Sequence, residues 1–353
     1  MNSADFEGLA THLARAATES DLSFTVLLTH GEEPVFEACH GLADRAAGLP
    51  VTSRTRFAVA SLSKMFTAVA VLAALEDAGT SPHARVVDLL PERRRPRTLD
   101  PAITVHHLLT HTSGMGDYAE EDEDLPGYVE DYGSLWVDRP CYRMRRPDDF
   151  LPLYAELPPV AAPGQAFHYC NGGYVLLGAL LEELTGEEFA GAVGARVFEP
   201  AGMVDTGYFA LDEVRPDLAL GYLPPRAPGD PWRSNIFSTP VVGGGDGGAF
   251  VTSRDVVRFL RALGAGTLLS PETTAQLLMP HVPVEGDLSM GYGVFVGADG
   301  RFGHGGGDPG VEALSRHLPS RDTTMVVLAN TEGVLDLVYD QVTAAFASLP
   351  GAG

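Results

Sequence analysis

Lysine is nearly absent from this chain. Of 24 Lys and Arg side chains in 353 residues, 23 are arginine and one is Lys64. Arginine does not give up its proton in a protein, whereas a desolvated lysine does, so the chain retains one amine able to serve as a base. Cysteine is scarce too. Cys39, Cys141 and Cys170 are odd in number and lack metal-type spacing, which argues against a disulfide framework and a metal module. No window approaches eighteen uninterrupted apolar residues, so no membrane-spanning helix is predicted. A positive balance is missing as well: the net charge of -23 disfavours nucleic acid and anionic membrane surfaces as partners. The first ten residues carry Asp5 and Glu7 where a secretory signal would be basic and then apolar, so a cytoplasmic protein with reduced thiols is expected.

What is present describes an ordinary globular protein, with 45% hydrophobic and 20% charged residues. Its length suits one large domain or two interleaved ones. Apolar periodicity predicts helices over 3–19, from Ser61 to about Gly79, and over 174–184, 255–263, 271–279 and 335–347. Strand-like runs fall at 22–29, 34–40, 292–296, 312–318 and 324–329. Strands at both ends around a helical middle predict an α+β fold. An antiparallel sheet built from residues 1–80 and 245–353 would be flanked by helices, with a mostly helical domain, 81–244, inserted between. Within that insertion, 116–149 shifts to acidic and aromatic residues and reads equally as a lid or as a solvated excursion. The stretch 205–240 reads as a long loop framing a cleft.

Three sets of residues carry chemistry. Ser61 and Lys64 stand three apart on one helix face, which brings a hydroxyl to an amine. Tyr169-Cys170-Asn171 precedes an apolar helix, and His304-Gly305-Gly306 lies on a strand edge bounded by Gly303 and Gly307. His106, His107 and His111 fit no metal motif and are expected to satisfy core hydrogen bonds.

With these motifs in order, the chain resembles the serine β-lactamase/penicillin-binding-protein-type hydrolases, a group that includes class C β-lactamases, D-amino-acid peptidases and related esterases. That family is marked by S-x-x-K, Y-x-N and K-T-G or H-x-G. Phrases around the motifs extend the likeness over about residues 35 to 330: Phe57-x-x-x-Ser-Leu-Ser-Lys-x-Phe-Thr67, Leu108-Leu-Thr-His-Thr-Ser-Gly114 and Pro163-Gly-x-x-Phe-x-Tyr-x-Asn-x-Gly-Tyr174. The resemblance implies a β-lactamase/transpeptidase-like fold and a metal-independent, cofactor-free hydrolase working through an acyl-enzyme. Ser61 would be the nucleophile, and Lys64 or Tyr169 the base that takes its proton. Asn171 would hold the Lys64 amine and the acyl amide, the backbone N–H groups of Ser61 and Gly307 would form the oxyanion hole, and His304 would take part in catalysis.

Departures from the pattern bear on substrate. Gly305 stands where relatives acting on β-lactams carry a hydroxyl, and Asp308 follows with Glu312 nearby, which disfavours an anionic substrate unless Arg316 neutralises the rim. Gly305, Gly306, Asp308, Tyr118, Trp232 and Tyr222 are expected to contact substrate. The reading is a serine hydrolase for esters or amides of small molecules or of D-amino-acid peptides. Its alternatives are an acyltransferase using the same acyl-enzyme, a true β-lactamase or D-alanyl-D-alanine carboxypeptidase, and a silent binding protein.

Overall fold

The computed structural model describes residues 6–349, apart from Pro126, Asp131 and Pro228. Strands from the two ends of the chain meet in one nine-stranded sheet. β1 (Phe24–His30) and β2 (Glu33–His40) come from the front. β3 (Val282–Glu285), β4 (Leu288–Met290), β5 (Phe295–Gly297), β6 (Phe302–Gly303), β7 (Gly305–Asp308), β8 (Val311–Leu318) and β9 (Thr323–Ala329) come from the end. The order is β2-β1-β9-β8-β6-β5-β4-β3, with β7 paired to β8 off that path, and the pairings are antiparallel.

The central strands β1 and β9 pair from Phe24↔Ala329 to His30↔Thr323. Their sequences run apolar with little alternation because both faces are covered. Val26, Leu28, Met325 and Val327 pack under α1 (Glu7–Glu19) and α5 (Val334–Ala347). Their neighbours Leu27, Val326 and Leu328 point the other way, into the larger core with Phe259 and Leu260 of α4 (Ser253–Gly264).

That larger core is centred on α2 (Lys64–Asp77), whose residues 64–72 are buried without a break. A helix apolar all round belongs inside a protein, and α2 packs against α3 (Asn171–Thr185), which is almost as apolar. Lys64 therefore enters the hydrophobic interior with only its amine to satisfy.

Several boundaries differ from the periodicity. Of the helix expected over 3–19, residues 3–5 lie outside the described residues and α1 starts at Glu7. The helix expected from Ser61 is a 3-10 turn, Ala60–Ser63, that leads into α2. The strand expected from Tyr292 begins at Phe295, since Gly293 takes φ +69° and turns the chain first. β3, β4, β6 and β7 are two to four residues long, and β7 is Gly-Gly-Gly-Asp, too short and too poor in side chains for a period-2 signal. A two-residue ladder, Tyr222–Leu223 with Arg233–Ser234, interrupts the loop expected over 205–240. Among the described residues, no helix is long and apolar enough to cross a membrane.

Candidate active site

Ser61 sits in the 3-10 turn at the entrance to α2. The turn is forced by Ala60, a non-glycine residue at φ +43°, a conformation that costs about 1–2 kcal/mol and persists only when its surroundings impose it. They do. Val59 N–H donates to Ala249 O at 3.0 Å, Ala249 N–H to Ser63 Oγ at 3.0 Å, and Gly248 N–H to Ala60 O at 3.3 Å. In a 3-10 turn side chains three apart eclipse, and Lys64 Nζ lies 2.9 Å from Ser61 Oγ.

The amine has two more partners, Asn171 Oδ1 at 2.7 Å and the Asp246 carbonyl at 2.7 Å. Lys64 is 0% exposed. Burial pushes its pKa down, against the opposing pull of Asp246, Glu121, Asp117 and Asp308.

Asn171 is the first residue of α3, and its orientation is fixed from behind. Its Nδ2 donates to Asp117 Oδ2 at 3.1 Å and to Glu121 Oε1 at 3.1 Å, so its Oδ1 faces Lys64. Asp117 also accepts the backbone N–H groups of Asn171 at 2.8 Å and Gly172 at 2.7 Å, capping the N-terminus of α3. That cap starts the helix three residues before the position periodicity suggests. Desolvation nonetheless raises Asp117 to about 6.

Tyr169 stacks on His111 with centroids 4.3 Å apart, its ring lies 4.8 Å from Lys64 Nζ, and its hydroxyl shares a hydrogen bond with Ser61. Burial first, then Glu121, drives its pKa well above the usual phenol value. The ring beneath it, His111, accepts Cys170 N–H at Nδ1 at 3.0 Å and is kept neutral by burial. His304 stands apart from this network. Its Nδ1 donates to the Gly305 carbonyl at 2.5 Å, its buried Nε2 has no partner among the described residues, and burial lowers its pKa to about 3. No hydrogen bond joins it to Ser61, Lys64 or Tyr169; its ring packs 4.9 Å from Phe295 and 6.4 Å from Tyr169.

Beside the Ser61 turn runs β7. A Cβ at Gly306 would stand 2.3 Å from Val59 O and 2.9 Å from Ser61 N, so only glycine permits this approach. Ser315 N–H bonds to His304 O, and the register runs Gly305↔Leu314, Gly306↔Ala313, Gly307↔Glu312. Ladder bonds in an antiparallel pair fall on alternate residues, which leaves the Gly307 N–H on the edge turned away from β8, and Gly307 lines both cavities together with Ser61.

Two cavities meet at Ser61. One is lined by Tyr118, Tyr132, Trp136 and Phe209 together with Asn171, Asp246 and Asp308. The other is lined by Tyr169, His304, Phe295 and Gly305–Gly307. Residues of the 116–149 stretch wall both. Trp136 Nε1 donates to Ser238 O at 3.0 Å and Val241 N–H to Cys141 O at 3.0 Å, so this wall is tied to 238–241.

Four expected neighbours are elsewhere. Trp232 Nε1 bonds to Asp21 at 3.0 Å and its ring lies under Arg45, 3.8 Å away. Tyr222 accepts Arg45 N–H on its hydroxyl at 2.9 Å. Both therefore pack on Arg45, and neither lines a cavity at Ser61. Arg316 does not neutralise the rim, because it bonds to Tyr339 of α5. Glu312 does not join the rim either: it caps α5, accepting Gly333 N–H at 2.7 Å and Leu335 N–H at 2.8 Å. Of the substrate contacts expected from sequence, Tyr118, Gly305, Gly306 and Asp308 do border the cavities.

Asp117, Glu121 and Asp246 escaped the sequence reading. Asp246 had a signal, the run Gly243-Gly-Gly-Asp-Gly-Gly248. A Cβ at Gly245 would meet Tyr174 O at 2.1 Å, so this loop threads against α3 to reach Lys64. The Asp246 carboxylate, raised by burial, accepts the Tyr118 hydroxyl at 2.5 Å.

The site and fold have known counterparts. The profile of the family described as Beta-lactamase matches residues 12–347. Esterase EstB of Burkholderia gladioli is 34% identical over 273 residues, covering 71% of this chain and 67% of that protein. Penicillin-binding protein 4* of Bacillus subtilis (strain 168) is 26% identical over 338 residues, 90% of this chain and 69% of its own length. Among solved structures, a penicillin binding protein from Bacillus halodurans superposes with a TM-score of 0.85 at 40% identity, over 95% of this chain and all of that one. The chain belongs to the beta-lactamase family and is a serine hydrolase of that fold.

Proposed function

We propose that the protein hydrolyses esters or amides of small molecules through an acyl-enzyme on Ser61, with Lys64 as the base. The observation that carries this is the Lys64 amine, fully buried and 2.9 Å from Ser61 Oγ. Burial disfavours both the ammonium of Lys64 and the phenolate of Tyr169, which supports a neutral amine beside a neutral phenol. The amine is then the acceptor and the phenol the donor. Ser61 Oγ attacks the substrate carbonyl carbon while its proton passes to Lys64. The oxyanion accepts from the N–H groups of Ser61 and Gly307. When the intermediate collapses, the departing alcohol or amine takes a proton relayed through Tyr169, which regains one from Lys64. Water then attacks the acyl ester by the same route in reverse and frees Ser61.

Asn171 holds Lys64 and presents no proton of its own to it. His304 supports β7 through Gly305 and is left out of the proton path. The likeness to an esterase favours esters as the first substrates to try. Free Cys39, Cys141 and Cys170 accord with a reducing, cytoplasmic setting. A p-nitrophenyl ester mixed with the enzyme should release a burst of one p-nitrophenol per site and leave an acyl mass adduct on wild type but not on Ser61→Ala. A steady rate without adduct, or equal rates in the two proteins, would overturn the reading.

A further inference from the structure

The carboxylates around the nucleophile are not equivalent. Asp246 holds the Tyr118 hydroxyl, Asp117 caps α3, and Glu121 is shared by Asn171 and Tyr132. Of the three carboxylates that line the aromatic cavity, Glu121, Asp246 and Asp308, only Asp308 has no hydrogen bond or ion pair among the described residues. Its side chain leaves β7 on the face of Gly306, the residue that abuts Ser61 N, because alternate strand positions share a face. Two residues along a strand is about 7 Å, the span of a short acyl chain measured from the reacting carbonyl.

Among the described residues, no lysine or arginine lines either cavity at Ser61. The nearby amine, Lys64, has its three contacts filled by Ser61, Asn171 and the Asp246 carbonyl. An anionic substrate would meet Asp308 and Asp246 with nothing to neutralise it. A cation would meet an unpaired carboxylate and a lining that includes the rings of Tyr118, Tyr132, Trp136 and Phe209, side chains of the kind that attract alkylammonium groups. Tyr169 marks the other cavity as the exit for the leaving group, so the aromatic cavity is left for the acyl part.

We infer that the preferred substrates carry an ammonium group on the acyl portion, a few bonds from the carbonyl, and that Asp308 is the residue that selects it. The inference rests on the acyl-enzyme reading above. The groups that face Asp308 are Asp246, Lys64 and Glu121, with the phenols of Tyr118 and Tyr132, which stay protonated. Desolvation and Asp246 raise Asp308 to about 7. Its attraction for a fixed cation therefore grows as pH rises through that value.

The test compares two p-nitrophenyl esters of one shape, 4-(trimethylammonio)butanoate and 5,5-dimethylhexanoate. The charge of the first does not titrate. Wild type should favour the cationic ester by about 10- to 100-fold in kcat/KM at pH 8.5, and by less at pH 5.5. In Asp308→Asn the ratio should fall toward one and lose its pH dependence, whatever the change does to either rate. Turnover of both esters at equal efficiency by wild type would overturn the inference and leave the hydrolase reading intact. A ratio retained in Asp308→Asn would overturn the assignment to Asp308. Failure of wild type to be acylated by either ester would overturn the hydrolase reading, and this inference with it.

Discussion

Replacing Lys64 separates the work of the amine from the work of its charge. Lys64→Met keeps the length and apolar stem but removes the nitrogen that contacts oxygens at 2.9, 2.7 and 2.7 Å. Lys64→Arg keeps the charge and offers no neutral nitrogen. Loss of a general base slows a reaction by about 10²–10⁴-fold, or about 3–5 kcal/mol of barrier. Both variants should lose this much in the burst of acylation by a p-nitrophenyl ester followed by stopped flow. Neither is silent for stability. The Arg fork must enter a site with no exposed surface, an overpacking that typically costs about 1–3 kcal/mol. The Met variant leaves Asn171 Oδ1 and the Asp246 carbonyl without their donor, a penalty of about 1–3 kcal/mol for each group left unpaired. Urea unfolding in parallel keeps the two effects apart. Wild-type acylation should also rise with pH as Lys64 loses its proton, and both variants should lack that limb. An Arg variant that acylates within about threefold of wild type would refute Lys64 as base, and would require a phenolate at Tyr169 that its surroundings oppose.

Three further outcomes follow from the same geometry. Asp117→Asn replaces one of the two acceptor oxygens that hold Asn171 and Gly172 and removes a negative charge that raises the Lys64 pKa; kcat should fall about tenfold or more while the acid limb of acylation moves to lower pH, and a lower melting temperature with an unmoved limb would reduce Asp117 to a helix cap. Asp308→Asn should raise the efficiency of nitrocefin hydrolysis relative to a neutral ester, and efficient nitrocefin turnover by wild type would contradict the charge argument. The same change should affect stability: the folded pKa of Asp308, about 7, lies above the ordinary value of about 3.9, so wild type loses stability as pH rises between these values, and the Asn variant should gain on it over that window in urea titrations at pH 4 and pH 8.

Much of this was legible before any coordinates. Lys64 stood out because its alternatives were all arginine, and Ser61 because a three-residue spacing means contact on a helix. Buried strands and helices showed themselves through long apolar runs, as in β1, β9, α2 and α3. The groups that tune the site were hidden for a physical reason. Asp117, Glu121 and Asp246 reach Lys64 and Asn171 from loops, where no periodicity marks a side chain as pointing inward. Tyr222 and Trp232 misled for the converse reason: an aromatic in a loop was taken to face the cleft, whereas this pair is held by Arg45 and Asp21. β7 showed itself only as the strand edge beside His304 and not as a strand-like run, because three glycines have no side chains to alternate, although their lack of Cβ atoms is what lets the strand touch Ser61.

The central claim is that Ser61 is an activated nucleophile beside an oxyanion hole. A fluorophosphonate probe tests it most directly, since labelling requires both. Intact mass and peptide mapping should find one adduct, on Ser61, in the folded wild type and none in Ser61→Ala. A folded protein that stays unlabelled, or that is labelled at another residue, would contradict the claim.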